Sequence, residues 1–141
     1  ISFNYRHTDL PPGAIITAAK LSLTPSSPDV IEARLAEVDA ARKGQPKIKS
    51  AGCAFKNPPG ESAGKLIDQA GLKGLTVGGA MVSYEHGNFI VNQGGATATD
   101  VLTLLARIQE VIPQLEPEWR LWGVGSQLEQ LPLPKGTSCV A

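Results

Sequence analysis

Cys53 lies in the run Ser50-Ala51-Gly52-Cys53-Ala54-Phe55-Lys56-Asn57-Pro58. A thiol in such a glycine-flanked stretch can act as a nucleophile, a proton donor or a redox group. The ordinary thiol pKa of about 8.5 leaves it mostly protonated at neutral pH, so it can hand a proton to a carbanion-like centre. The plainer reading is a small buried hydrophobe, which is what most cysteines outside disulfides are, and composition alone favours it. Arg6 follows Tyr5. A guanidinium grips a carboxylate through two parallel hydrogen bonds, although a lone arginine is more often a solvated charge. Glu118 stands among bulky apolar residues, where a carboxylate can steady developing charge or position a proton donor, or simply face water at a strand edge. Asn57-Pro58 is a turn-forming pair by default, and His86 falls in a tight turn. Gly78-Gly79 and Gly94-Gly95 would allow close backbone approach to a ligand, but neither fits a phosphate-loop pattern. Cys53 and Cys139 make no metal-ligand spacing with His7 and His86, which argues against a zinc site.

The elements that must position these residues can be read from periodicity. Residues 14–23 alternate, with Ile15, Thr17, Ala19, Leu21 and Leu23 on one face, and predict a strand. Ser27 and Pro28 look like the N-cap and first residue of an amphipathic helix over 28–43, carrying Ile31, Leu35 and Val38. Residues 45–61 read as loop. Ser62 is placed to cap a short helix holding Leu66, Ile67 and Ala70, with Gly71 just past its end. Residues 75–83 and 88–92 predict strands joined by Tyr84-Glu85-His86-Gly87. Thr97 and Asp100 resemble a capping box for a helix that stops before Pro113. Residues 118–122 alternate again. The tail from Ser126 is expected to be loosely held or docked without regular structure. Helices thus mix with short strands that include a hairpin. The expected fold class is α+β, a short mixed sheet packed with about three helices.

The 141 residues suffice for one ordinary domain. Hydrophobic residues make up 42% and charged residues 18%, which suits a packed core rather than disorder. Thirteen basic and thirteen acidic residues cancel, so charge gives no reason to expect nucleic acid or an anionic membrane as partner. No apolar run approaches the roughly 18 residues of a membrane-spanning helix. The chain opens on Ile1 with no visible signal peptide, which predicts a piece of a longer or processed protein.

Read together, the segments carry more than any one of them. The Ser50–Pro58 run closely resembles the signature loop of the UDP-N-acetylenolpyruvoylglucosamine reductase (MurB) family of peptidoglycan synthesis. So do Ala63-Gly64-Lys65-Leu66-Ile67-Asp68-Gln69-Ala70-Gly71-Leu72-Lys73-Gly74 and His86-Gly87-Asn88-Phe89-Ile90-Val91-Asn92. Tyr5-Arg6, Ala98-Thr99-Asp100-Val101 and Glu118-Trp119-Arg120 follow in the family's order. The resemblance covers about residues 4–123, and its specificity lies in the ordered set.

That resemblance implies a C-terminal substrate-binding domain over residues 1–125, with 126–141 as a tail. It places the FAD-binding domains of the same protein upstream of Ile1, and none within this chain. In the family, NADPH reduces FAD, and the flavin reduces the enolpyruvyl double bond of UDP-N-acetylglucosamine enolpyruvate to give UDP-N-acetylmuramate. A cytoplasmic enzyme with no nucleic-acid or membrane partner is implied. By matched position, Arg6 steadies the substrate carboxylate and enolate, Cys53 donates the proton, and Glu118 assists. Asn57 corresponds to a polar residue near the sugar diphosphate. Tyr5, Lys56, His86 and Asn88 stand at motif positions and count with it as candidate substrate contacts. One departure matters, because the donor is more often serine. A thiol is the stronger acid and adds a sensitivity to oxidation.

Two other readings stand beside this one. The chain could be a stand-alone UDP-sugar-binding module without catalysis. A cysteine hydrolase using Cys53 and His86 is weaker, because it needs a base within hydrogen-bond reach and a third orienting group.

Overall fold

The computed structural model describes residues 1–11, 13–122 and 133–140. They fall into two compact units, Ile1–Lys43 and Gly44–Ala141.

The first unit holds a small hairpin, β1 (Phe3–Asn4) and β2 (His7–Thr8), and helix α1 (Pro28–Ala41). Pro28 pre-sets the first helical turn, although the Ser27 side chain makes no capping bond. None of the residues of α1 is buried, so the stripe of Ile31, Leu35 and Val38 is exposed. The strand expected over 14–23 is absent. Those residues are irregular and exposed, with Ile15 at 85%. The alternation is real, but a strand exists only through a ladder with a neighbour, and the described residues of this unit offer none beyond the hairpin.

The second unit is α+β, as expected. Its main sheet has the order β3-β6-β5-β4, where β3 is Ser50–Cys53, β4 Thr76–Val77, β5 Ala80–Val82 and β6 Phe89–Asn92. All its pairings are antiparallel, so the sheet itself is not mixed. The parallel pairing lies apart, between β7 (Arg120–Trp122) and β8 (Ser138–Val140). Three local expectations fail here. Residues 75–83 form a hairpin rather than one strand, because Val77 faces Ala80 across Gly78-Gly79, with Gly78 at φ 53°. Residues 50–53, read as loop, form a strand. The tail, expected without regular structure, contributes β8; residues 126–132 lie outside the described set.

Helix α2 (Ala63–Gln69) begins where the Ser62 hydroxyl accepts from Lys65 N–H, and Gly71 follows its end at φ 70°. Helix α3 (Ala98–Val111) opens on the predicted capping box, with Thr97 and Asp100 each accepting the other's N–H. Its buried face, Leu104, Leu105 and Ile108, packs with Ile67 of α2 and with Val82 and Ile90 of the sheet. Phe55 and Leu115 complete the core, and each such side chain contributes about 1.5–3 kcal/mol on leaving water. Among the described residues no helix is long and apolar enough to cross a membrane.

Candidate active site

The candidate site is built on the exit of β3. Ser50 faces Val91 of β6, whereas Cys53 faces Phe89, so β3 carries one extra residue over that span. The surplus is a β-bulge. Gly52, at φ 84°, supplies the left-handed backbone it needs, and its N–H reaches Ser50 Oγ at 3.2 Å. A bulge re-aims the side chain that follows it, which here is that of Cys53. The thiol is half-buried.

Beyond Cys53 the chain is tied on both sides. Ala54 N–H donates to Asn88 O at 2.9 Å. The Asn88 side chain accepts from Phe55 N–H at 2.9 Å and donates to Phe55 O at 2.8 Å. Both residues are buried, so removing this amide would strand two backbone groups at about 1–3 kcal/mol each. On the other side Glu118 N–H donates to Ala54 O at 2.9 Å, and Lys56 N–H donates to Glu116 O at 2.8 Å. Phe55 and Pro117 form an antiparallel bridge between these bonds. Cys53 and Glu118 are thereby brought to adjacent segments. Glu118 is half-buried.

The remaining predicted residues take mixed places. The Lys56 ammonium pairs with the Glu116 carboxylate. Asn57 Oδ1 accepts from Ala63 N–H at 2.9 Å, at the first turn of α2. His86 Nδ1 accepts from Asn88 N–H at 3.2 Å, and its ring meets Phe89 edge-on at 4.8 Å. A Cβ on Gly64 would fall 3.0 Å from His86 Cε1, so the imidazole sits hard against α2. This fixes His86 within its own turn and gives the hydrolase reading no support. Tyr5 and Arg6 belong to the first unit, at the turn between β1 and β2. Arg6 has φ 55°, uncommon for a side-chain-bearing residue, and its guanidinium lies 5.4 Å from the Tyr5 ring centroid.

A cavity of about 350 Å³ opens beside this segment. Ser50 and Ala51, just before the bulge, line it with Asn92, Val101 and Trp119, the residue after Glu118. His86 instead lines a smaller cavity of about 200 Å³ with Lys65 and Glu85.

Sequence reasoning missed several residues that build the site. Gly52 makes the bulge and Glu116 holds Lys56. Buried Ser83 organises the turn before His86, its hydroxyl accepting from Glu85 N–H at 3.1 Å and from His86 N–H at 3.4 Å. The same hydroxyl donates to the Glu85 carboxylate and holds it below the usual carboxylate range, with the Glu85 main chain adding to the effect. A serine two or three residues before a turn is a readable signal for this motif. Of the two glycine pairs, Gly78-Gly79 is crowded by the chain itself, whereas the space around Gly94 and Gly95 is open. A Cβ at Gly78 would strike the Asp100 carboxyl, and one at Gly79 would lie 2.5 Å from Ala96 N and Gly94 O.

A family model described as UDP-N-acetylenolpyruvoylglucosamine reductase, C-terminal domain, matches residues 45–122. The chain belongs to this family. The UDP-N-acetylenolpyruvoylglucosamine reductase of Thermus thermophilus is 62% identical over 122 residues, which are 86% of this chain and 46% of that protein. That of Deinococcus radiodurans is 54% identical over 123 residues, covering 86% and 42%. The crystal structure of the reductase from Thermus caldophilus superposes with a TM-score of 0.82 at 63% identity, covering 86% of this chain and 45% of that one. The chain therefore spans less than half the length of these reductases. The family match begins at residue 45, beside the boundary between the two units at Lys43.

Proposed function

We propose that this chain is the substrate-binding part of a flavin-dependent reductase that converts UDP-N-acetylglucosamine enolpyruvate to UDP-N-acetylmuramate. NADPH is the reductant. The FAD-binding domains belong to the same, longer polypeptide, which works in the cytoplasm. In this reading residues 126–141 are an appended tail, and the 141-residue chain alone is inactive.

The conversion adds two hydrogens across the enolpyruvyl double bond. Reduction at one carbon leaves carbanion character beside a carboxylate, and an acid must then protonate that centre. Cys53 Sγ–H is the donor, leaving a thiolate that is reprotonated from solvent before the next turnover. Glu118, on the adjacent segment, assists that transfer. Arg6 meets the carboxylate and the developing enolate with its guanidinium charge. The observation that carries the reading is the placement of Cys53 directly after a glycine bulge, with Glu118 hydrogen-bonded to the next residue.

The test is the visible spectrum of the full-length product, purified without added cofactor, before and after NADPH. A flavin band that bleaches, followed by turnover on the enolpyruvyl sugar, supports the proposal. A colourless, well-folded protein that binds UDP-sugars without turnover would replace it with the binding-module reading.

A further inference from the structure

We propose that Asn88 is a positioning residue for the proton donor rather than a contact for the sugar nucleotide. The inference rests on the assignment of Cys53 made above and deepens it.

Asn88 is 2% exposed, and both polar atoms of its amide are engaged with the main chain of one residue, Phe55. Its main-chain carbonyl takes the N–H of Ala54, and its own N–H is anchored on His86 Nδ1. Four hydrogen bonds thus run through one residue, and three of them end on the two residues that follow Cys53. The far side of the same stretch carries Glu118, through Ala54 O. The Cys53 backbone therefore has a left-handed bulge glycine before it and a hydrogen-bonded clamp after it. Asparagine suits the clamp because one planar group offers a donor and an acceptor side by side, which match the N–H and C=O of a single extended residue. Aspartate lacks the donor, and serine is too short to reach both. The turn that presents Asn88 is in turn held by the Ser83 hydroxyl. Of the residues first read as ligand contacts, Asn88 is the one whose polar atoms are turned wholly into the protein.

The experiment uses the full-length reductase with Asn88→Ala and Asn88→Asp. Cys53 alkylation by iodoacetamide is followed across pH, peptide by peptide, with the exposed Cys139 as internal reference. In both variants the Cys53 rate is expected to change about tenfold while Cys139 keeps its rate. Turnover is expected to fall about 100-fold for a misplacement near 1 Å, with KM for the enolpyruvyl sugar moving less than about threefold. In the wild-type protein the amides of Ala54 and Phe55 are expected to exchange as slowly as those of β5, which tests the clamp even if a variant fails to fold. Fast exchange there, or unchanged Cys53 alkylation in a folded Asn88→Ala protein, overturns the proposal. A raised KM at unchanged kcat also overturns it, by returning Asn88 to the ligand. Absence of turnover in the wild type would instead sink the reductase reading, and the exchange and alkylation data would still decide on Asn88.

Discussion

Glu118 donates its main-chain N–H to the carbonyl of Ala54 at 2.9 Å, so the two candidate acid–base residues share one backbone junction. Cys53 precedes that junction on one segment and Glu118 sits on it from the other. Their relative placement is set by main-chain bonds, which side-chain changes at either position leave in place.

Cys53→Ala in the full-length protein should therefore remove the proton donor without moving Glu118. Turnover is expected to drop by about 10²–10⁴-fold, the usual worth of a positioned acid, whereas Cys53→Ser should retain much of it. Steady-state rates on the enolpyruvyl sugar decide. Equal activity of the alanine variant and wild type would take Cys53 out of the mechanism.

Gly52→Ala tests the bulge. The substitution leaves the space around Gly52 open but forces an alanine to φ 84°. A loss of about 1–2 kcal/mol is expected from the left-handed backbone alone. Flattening the bulge instead would turn the Cys53 side chain toward the other sheet face and lower kcat. Urea unfolding paired with turnover separates the two, and a variant unchanged in both would show that the bulge is dispensable.

Which of these features could be read beforehand follows from how local their causes are. The capping box at Thr97 and Asp100, the Ser62 cap and the apolar stripe of Leu104, Leu105 and Ile108 lie within a few residues of one another, and their helices form as read. The hairpin at Gly78-Gly79 was hidden inside an apolar run that looks like one strand. Ser50–Cys53 was hidden because glycine and the prolines beyond it signal loop, while its pairing partner lies far along the chain. The alternation over 14–23 is a correct local signal with no ladder to complete it. For the site, Cys53, Arg6 and Glu118 stand out by residue type, but only the resemblance gives each of them a role. The clamp of Asn88 on Phe55 joins residues from different motifs, and only the folded chain brings them together.

The Asp100 carboxylate gives a pH prediction with a definite sign. Thr97 holds it below its ordinary value, first through its main-chain N–H and then through its hydroxyl, and the Gly79 main chain adds to this. Because the folded value lies below the unfolded one, the contribution to stability is fully present above the ordinary carboxylate range. It is lost as pH falls through the folded value. Thermal stability should thus be flat from neutrality down to that range and decline below it, and Asp100→Asn should blunt the decline. Thr97→Ala removes the cap itself and should cost about 1 kcal/mol at neutral pH. An acid limb identical in Asp100→Asn and wild type would contradict the assignment.

Gln109 fastens the last described stretch of chain to α3. Its Nε2 donates to Leu115 O and Lys135 O, both at 2.8 Å, and its Oε1 accepts from Lys135 N–H at 2.7 Å. Next to this bond Pro134 is buried and Leu133 packs against the core, and a few residues on β8 lies along β7. The family match stops at residue 122, so this attachment lies beyond the part of the chain common to the family model. Strand β7 begins two residues after Glu118, which makes the tail a brace for the candidate site. Gln109→Ala should leave α3 intact but speed amide exchange at Lys135 and through β8, with a stability loss of about 1–3 kcal/mol from the unmatched backbone groups. Gln109→Glu keeps the acceptor for Lys135 N–H but sets a carboxylate against two carbonyls, and should loosen the tail at least as much. Unaltered exchange at Lys135 in both variants would mean that β8 is held by its pairing with β7 alone.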